Sequence, residues 1–182
     1  MTNIVIASDI HGSAYYCRLL MEAVERERAG RLLLLGDILY HGPRNDLPRE
    51  YDPRAVIAML SGLTVPVSSV RGNCDADVDQ MVLPFPILSD SCLLLVEDRT
   101  IFATHGHVFH KDHLPPLSPG DVLLHGHTHV PAWEELDGGV LYLNPGSAAL
   151  PKEDSPHSYL VLSGRDLIWK EMDGTVFHRL TL

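Results

Sequence analysis

The sequence predicts an α/β protein whose second half takes on α+β character: two sheets packed face to face with helices outside, in one domain spanning residues 1–182. Three observations predict it. Up to residue 70, short continuous apolar runs alternate with amphipathic helical stretches, a β-α-β-α-β reading that implies a parallel sheet with right-handed crossovers. From residue 92 on, seven short strand candidates succeed one another with hairpin-turn signals, and this half reads as mostly antiparallel. At 182 residues the chain suits a single domain with its own core, and it carries no internal repeat, low-complexity stretch or linker.

Asn3–Ala7 is an apolar run of the kind found in a sheet covered on both faces. Ser13 offers an N-cap, Tyr16, Leu20, Ala23 and Val24 follow helical spacing, and Gly30 is a natural helix stop. Residues 32–35 form a second buried strand, and residues 40–51 a polar, proline-containing loop. Asp52-Pro53 then reads as an N-cap with proline at the first helical position, ahead of Val56, Met59, Leu60 and Leu63. Residues 65–70 make the third strand, and residues 76–91 look irregular or weakly helical. The later strand candidates are 92–96, 100–103, 122–124, 140–143, 159–162, 167–171 and 176–180, with turn signals at Asp137-Gly138 and Asp173-Gly174.

Composition narrows the function. A chain that is 45% hydrophobic and 21% charged has the makeup of a soluble globular protein, which excludes long disorder, collagen and coiled coil. Its net charge of −10 repels polyanions, so a grip on long nucleic acid or an anionic membrane surface is not expected. Three widely spaced cysteines, Cys17, Cys74 and Cys92, give no disulfide framework and point to a reducing compartment. No secretory signal is read at the N-terminus and no apolar run approaches the ~18 residues of a membrane helix, so the expected location is the cytoplasm.

Five short segments carry metal-ligand residue types, each after a predicted strand: Asp9-Ile10-His11, Gly36-Asp37, Gly72-Asn73-Cys74-Asp75, His105-Gly106-His107 and Gly126-His127-Thr128-His129. In open α/β sheets ligands bind at the carboxyl ends of strands, so five such termini on one edge would form one cluster. Carboxylate, imidazole and amide oxygen without a thiolate pair argue against a structural zinc knot. They fit a hydrolytic two-metal site, in which ions roughly 3.5–4 Å apart clamp the attacking and leaving oxygens. One carboxylate must bridge such ions, and Asp37, alone after its strand, is the candidate.

This ordered set, from Asp9 to His129, resembles the calcineurin-like metallophosphoesterase superfamily, whose pattern runs D-x-H, G-D, G-N-H-[DE], H and G-H-x-H. The short chain, the loop His41-Gly42-Pro43-Arg44-Asn45 and the run Asn144-Pro145-Gly146-Ser147 look like its small bacterial branch, the YfcE-type phosphodiesterases. The resemblance implies a metallophosphoesterase fold, a four-layer α-β-β-α sandwich of two mixed sheets. It also implies two divalent metal ions per chain, manganese first, with iron, zinc, cobalt or nickel as alternatives. Carried across by motif, one ion takes Asp9, His11, Asp37 and His129, and the other takes Asp37, Asn73, His105 and His127. The superfamily usually has histidine where this chain has Cys74. Cys74 and the retained Asp75 are therefore the catalytic-position candidates, and the YfcE type also carries G-N-C-D. Arg44 and Arg71 are candidates for binding phosphate oxygens. His107 reads as an outer-shell residue or pocket wall, and His41, His110, His113, His157 and His178 receive no role.

The expected activity is hydrolysis of small phosphodiesters by a hydroxide bridging a dinuclear centre. The alternatives are a phosphomonoesterase or a nucleotide or dinucleoside polyphosphate hydrolase of the same superfamily, and, further off, a non-catalytic interaction scaffold. The expected partner is the substrate alone, without long nucleic acid or membrane, and a homo-oligomer is left open.

Overall fold

The computed structural model describes residues 2–182; Met1, the first residue of the expected domain, lies outside them. Two mixed sheets form the molecule. The first has six strands in the order β11 (Val176–Thr181), β10 (Asp166–Glu171), β9 (Ser158–Ser163), β1 (Asn3–Ala7), β2 (Ala29–Leu34) and β3 (Val67–Ser69), and the second has five, β4 (Ser91–Val96), β5 (Arg99–Thr104), β6 (Val122–Leu124), β8 (Leu141–Asn144) and β7 (Ala132–Glu135).

The first half follows the β-α-β-α-β reading. Strands β1 (Asn3–Ala7), β2 (Ala29–Leu34) and β3 (Val67–Ser69) pair in parallel, with α1 (Ala14–Arg26) and α2 (Pro53–Ser61) as the crossovers. Ser13 caps α1 by accepting from the Tyr16 amide, and Asp52 caps α2 by accepting from the Ala55 amide. Strand alternation sorts the apolar residues into two cores. Val5, Ala7, Leu32 and Leu34 pack against Leu20, Val24, Val56 and Leu60 of the helices. Ile6, Leu33 and Leu35 face the other way, into the space between the sheets. Both faces of this sheet are covered, which is why its strands read as unbroken apolar runs.

Gly30 is not the helix stop. Helix α1 ends at Arg26 with Glu27 as C-cap, and Gly30 lies inside β2. A Cβ on Gly30 would sit 1.8 Å from the Thr2 methyl carbon, so glycine is there for a close approach between β2 and the residue just before β1 rather than for a turn. Residues 76–91 contain one helical turn, α3 (Asp77–Gln80).

The second sheet departs from the antiparallel expectation. Strands β5 (Arg99–Thr104), β6 (Val122–Leu124) and β8 (Leu141–Asn144) pair in parallel at its centre. Only the flanking strands β4 (Ser91–Val96) and β7 (Ala132–Glu135) run antiparallel to them. Parallel neighbours need long connections. Here they are the 105–121 segment and the stretch holding β7, neither of which carries a helical period to announce a crossover. Strand β7 escapes the sequence reading because it is a short edge strand whose last three residues are exposed. The chain then returns to the first sheet through antiparallel β9 (Ser158–Ser163), β10 (Asp166–Glu171) and β11 (Val176–Thr181).

Ile101, Val122, Leu124, Leu143 and Trp169 fill the space between the sheets. On the outer face of the second sheet, Leu123, Val140 and Tyr142 form a smaller cluster with Leu117 of the 105–121 segment. That outer layer is built by loop rather than helix. Among the described residues, no helix is long and apolar enough to cross a membrane.

Candidate metal centre

The segments after β1, β2, β3, β5 and β6 meet at one rim of the sandwich. Asp9 Oδ1 stands 3.5 Å from His11 Nε2 and 3.2 Å from His129 Nε2, and the two imidazole nitrogens are 3.3 Å apart. Asp37 Oδ2 lies 3.7 Å from His11 Nε2 on one side and 3.5 Å from His105 Nε2 on the other. His105 Nε2 is in turn 3.0 Å from Asn73 Oδ1 and 3.1 Å from His127 Nδ1. All seven residues expected to hold metal are thus joined in one cluster, with Asp37 between its two halves.

The backbone is bent to make this cluster. Asp9, His11, Asp37, His127 and His129 all have positive φ, between 49° and 63°. Each such non-glycine conformation costs about 1–3 kcal/mol and persists only where the surroundings impose it. Loop 145–150 is part of those surroundings: Ser147 Oγ donates to the Asp9 carbonyl and the Ala148 amide to the Ser8 carbonyl. Glycines let the segments nest. A Cβ on Gly72 would fall 2.1 Å from Asp37 Oδ1, and one on Gly126 would fall 2.7 Å from Asp9 Oδ2.

The donor set fits cations. His11 Nδ1 is 2.7 Å from the Tyr40 carbonyl and His105 Nδ1 is 2.6 Å from the Leu35 carbonyl; His129 Nδ1 meets the Leu150 carbonyl in the same way. A carbonyl only accepts, so these bonds place the proton on Nδ1 and leave each Nε2 lone pair facing inward. Lone pairs of His11 and His129 then point at one another across 3.3 Å. Asp9 Oδ1, beside both, is buried with no hydrogen-bond partner. A buried acceptor without a donor among converging lone pairs is what a cation satisfies. Ligand atoms of Asp9, His11 and His129, and of Asp9, Asp37 and His105, lie within 4.8 Å of one another; Cys74 Sγ does so with His11 and Asp37.

Without a metal the same field holds protons. Burial works against a charge on His105, but the Asp37 hydrogen bond and the Asp9 charge outweigh it and push its pKa up to about 9. His11 is raised as well, with burial opposed by Asp9. Burial disfavours both carboxylates, yet the neighbouring imidazoles hold Asp9 well below and Asp37 below the usual carboxylate range. His127 is lowered to about 4, by burial first and His105 next.

The remaining expectations divide. Arg44 lines a cleft of about 440 Å³ over the cluster, together with Cys74 and His127. Arg71 is not among the residues lining that cleft; its amide donates to the Ser89 carbonyl and closes the strand end. Lys152, unremarked in the sequence, lines the cleft as a second cation. A single lysine in a polar loop carries no motif. The buried Asp75 carboxylate accepts from the amides of Gly72, Asp37 and Ile38, stapling two loops together. The Cys74 thiol is half-buried, and burial, followed by the Asp37 charge, pushes its pKa up to about 12. Without metal it is a neutral thiol. His107 is exposed, outside the cluster, with its ring centroid 5.4 Å from that of His105.

Comparison with known proteins agrees with this geometry. A family model described as the calcineurin-like phosphoesterase superfamily domain matches residues 2–166. The chain is 44% identical over 162 residues to Escherichia coli Phosphodiesterase YfcE, covering 89% of this chain and 88% of the relative. It is 27% identical over 168 residues to the Bacillus subtilis probable metallophosphoesterase YsnB, covering 88% and 83%. The solved structure of the E. coli phosphoesterase YfcE superposes with a TM-score of 0.93 at 40% identity, covering 99% of each chain. An archaeal phosphodiesterase structure, at 21% identity and TM-score 0.62 over 100% of each chain, shares the fold.

Proposed function

The chain belongs to the calcineurin-like phosphoesterase superfamily, and we propose that it hydrolyses small phosphodiesters with two divalent ions. The observation that carries this reading is the placement of Asp37 between two sets of ligand atoms. Asp9, His11, Asp37 and His129 would hold one ion, and Asp37, Asn73, His105 and His127 the other. Mixed carboxylate, imidazole and amide donors suit manganese, and also iron, zinc, cobalt or nickel. When bound, the ions would supply an activated shared water as nucleophile and neutralise the phosphate charge.

The chain's own groups do the rest. Backbone carbonyls of Tyr40, Leu35 and Leu150 lock the imidazole orientations. Asp75 holds the Asp37 and Asn73 loops against each other through three backbone amides. Arg44 and Lys152 bring positive charge into the cleft, where they bind the phosphate oxygens. Cys74 puts a thiol where the superfamily usually has histidine, so no imidazole stands at that position to protonate a leaving oxygen. The enzyme therefore favours diesters whose leaving group is stable as an anion. Cys17, Cys74 and Cys92 are free thiols, in keeping with the cytoplasm as its place of action.

The test is a rate comparison after reconstitution with manganese. Bis(p-nitrophenyl) phosphate should turn over faster than p-nitrophenyl phosphate, and chelation should abolish both. Equal or faster turnover of the monoester contradicts the diesterase reading.

A further inference from the structure

A second cavity, of about 320 Å³, adjoins the metal-ligand cleft and shares His127 and Thr128 with it. Its other walls include Gly106, His107, His110, His125 and Tyr142. None of these is needed to hold metal. His125 and Tyr142 are buried and stacked, with ring centroids 4.5 Å apart and planes 28° from parallel. Their polar groups with partners are engaged inside the protein: the Tyr142 hydroxyl accepts from Asn144 Nδ2, and His125 Nδ1 donates to the Gly126 carbonyl. A Cβ on Gly106 would come within 2.5 Å of His125 Nδ1, so the chain after β5 lies tight against that ring. His107 stands on the metal side, its ring centroid 6.4 Å from that of His127. At the rim, polar side chains pair with one another. His110 Nδ1 is 3.8 Å from Asp112, and Lys111 Nζ is 3.5 Å from Glu134.

We infer that this cavity receives one esterifying group of the diester, an uncharged aromatic or heterocyclic ring of aryl or nucleobase type. The inference rests on the phosphodiesterase reading above. His127 belongs both to the ligand cluster and to the cavity wall, so a substituent on a phosphate seated at the cluster leads directly into the cavity. Imidazole and phenol rings form walls that favour a flat aromatic guest over an alkyl one. The rim cation Lys111 is paired with Glu134 and gives no advantage to a further phosphate. A monoester has no second ester arm and leaves the cavity to water.

The experiment compares bis(p-nitrophenyl) phosphate with methyl p-nitrophenyl phosphate, which share a leaving group and differ in the second arm. In the manganese-loaded enzyme the aryl diester has the higher kcat/KM. In His107→Ala and in His110→Ala, both at accessible positions, the aryl-to-methyl ratio falls about 3- to 10-fold, mainly through KM. In the metal-free protein, p-nitrophenol shifts the ring C–H resonances of His107, His110 and His125 and leaves those of His41 and His157 in place. If wild type hydrolyses neither diester, the phosphodiesterase reading itself fails. If it hydrolyses both, but neither variant alters the ratio and no ring resonance moves, the subsite is overturned and the activity stands.

Discussion

At the residue scale the ligands are not equivalent. Asp37 faces both halves of the cluster, whereas Asn73 meets His105 on one side of it and stands exposed at its edge. Asp37→Ala should weaken both metal sites together, by more than the roughly 10–100-fold typical of losing an outer partner, and turnover should disappear. Asn73→Ala should weaken one site and spare the other. Manganese titrations of both variants check this; two tight sites in Asp37→Ala would remove the bridging role. Acid should act through protons that compete with metal. His105, with its pKa pushed up to about 9, is protonated at neutral pH and must lose that proton to ligate. Affinity therefore rises with pH up to about 9 and levels off above it, falling about tenfold per pH unit below for each proton displaced. His127, near 4, adds nothing in this range. Proton release on adding manganese, clear at pH 7.5 and small at pH 10, is the measurement, and an affinity flat from pH 6.5 to 9 would refute it. All seven residues of the cluster were legible in the sequence because each follows a strand and most adjoin a glycine. Lys152 was not, being a lone cation in a loop. His125 was not either, because it extends the apolar run of β6 and reads as core. Nor does any motif show that Asp75 bonds backbone amides, since that depends on two loops meeting in space.

The element that most directly joins fold to cleft is the N-terminus of α1. Ser13 Oγ accepts from the Tyr16 amide at 3.3 Å and donates to the Arg49 carbonyl at 2.6 Å, tying the helix to the loop that carries Arg44. Ser13 is fully buried, whereas the Asp52 cap of α2 lies at the surface. Ser13→Ala should cost about 1–2 kcal/mol, since it removes a cap and strands a carbonyl. Asp52→Ala should cost about 0.5–1 kcal/mol. Urea denaturation midpoints measure both, and a Ser13→Ala loss no greater than that of Asp52→Ala would break the link between helix and loop. Both caps were readable because serine or aspartate precedes a helical period. The stop of α1 was misplaced to Gly30 because glycine at a helix end and glycine at a tight chain approach look alike in sequence. The parallel centre of the second sheet was hidden for a related reason. Its crossovers are loops, and without a helical period between strands nothing distinguishes parallel from antiparallel neighbours.

For the whole molecule, two charge scales coexist. The chain carries −10 overall, which sets a repulsive field for long polyanions. The cleft gathers Arg44, Lys152 and a ligand set built for cations, so a small phosphodiester meets local positive charge once metal is bound. The sandwich makes this feasible by aiming strand ends from both sheets at one rim, with neither sheet alone holding a full ligand set: Asp9, His11, Asp37 and Asn73 follow strands of the first, and His105, His127 and His129 follow strands of the second. In this arrangement two ions would share Asp37. Anomalous diffraction from crystals of the manganese-loaded protein tests the sharing. Two peaks roughly 3.5–4 Å apart on either side of the Asp37 carboxylate are the predicted result. A single peak in fully active, manganese-saturated protein would contradict it.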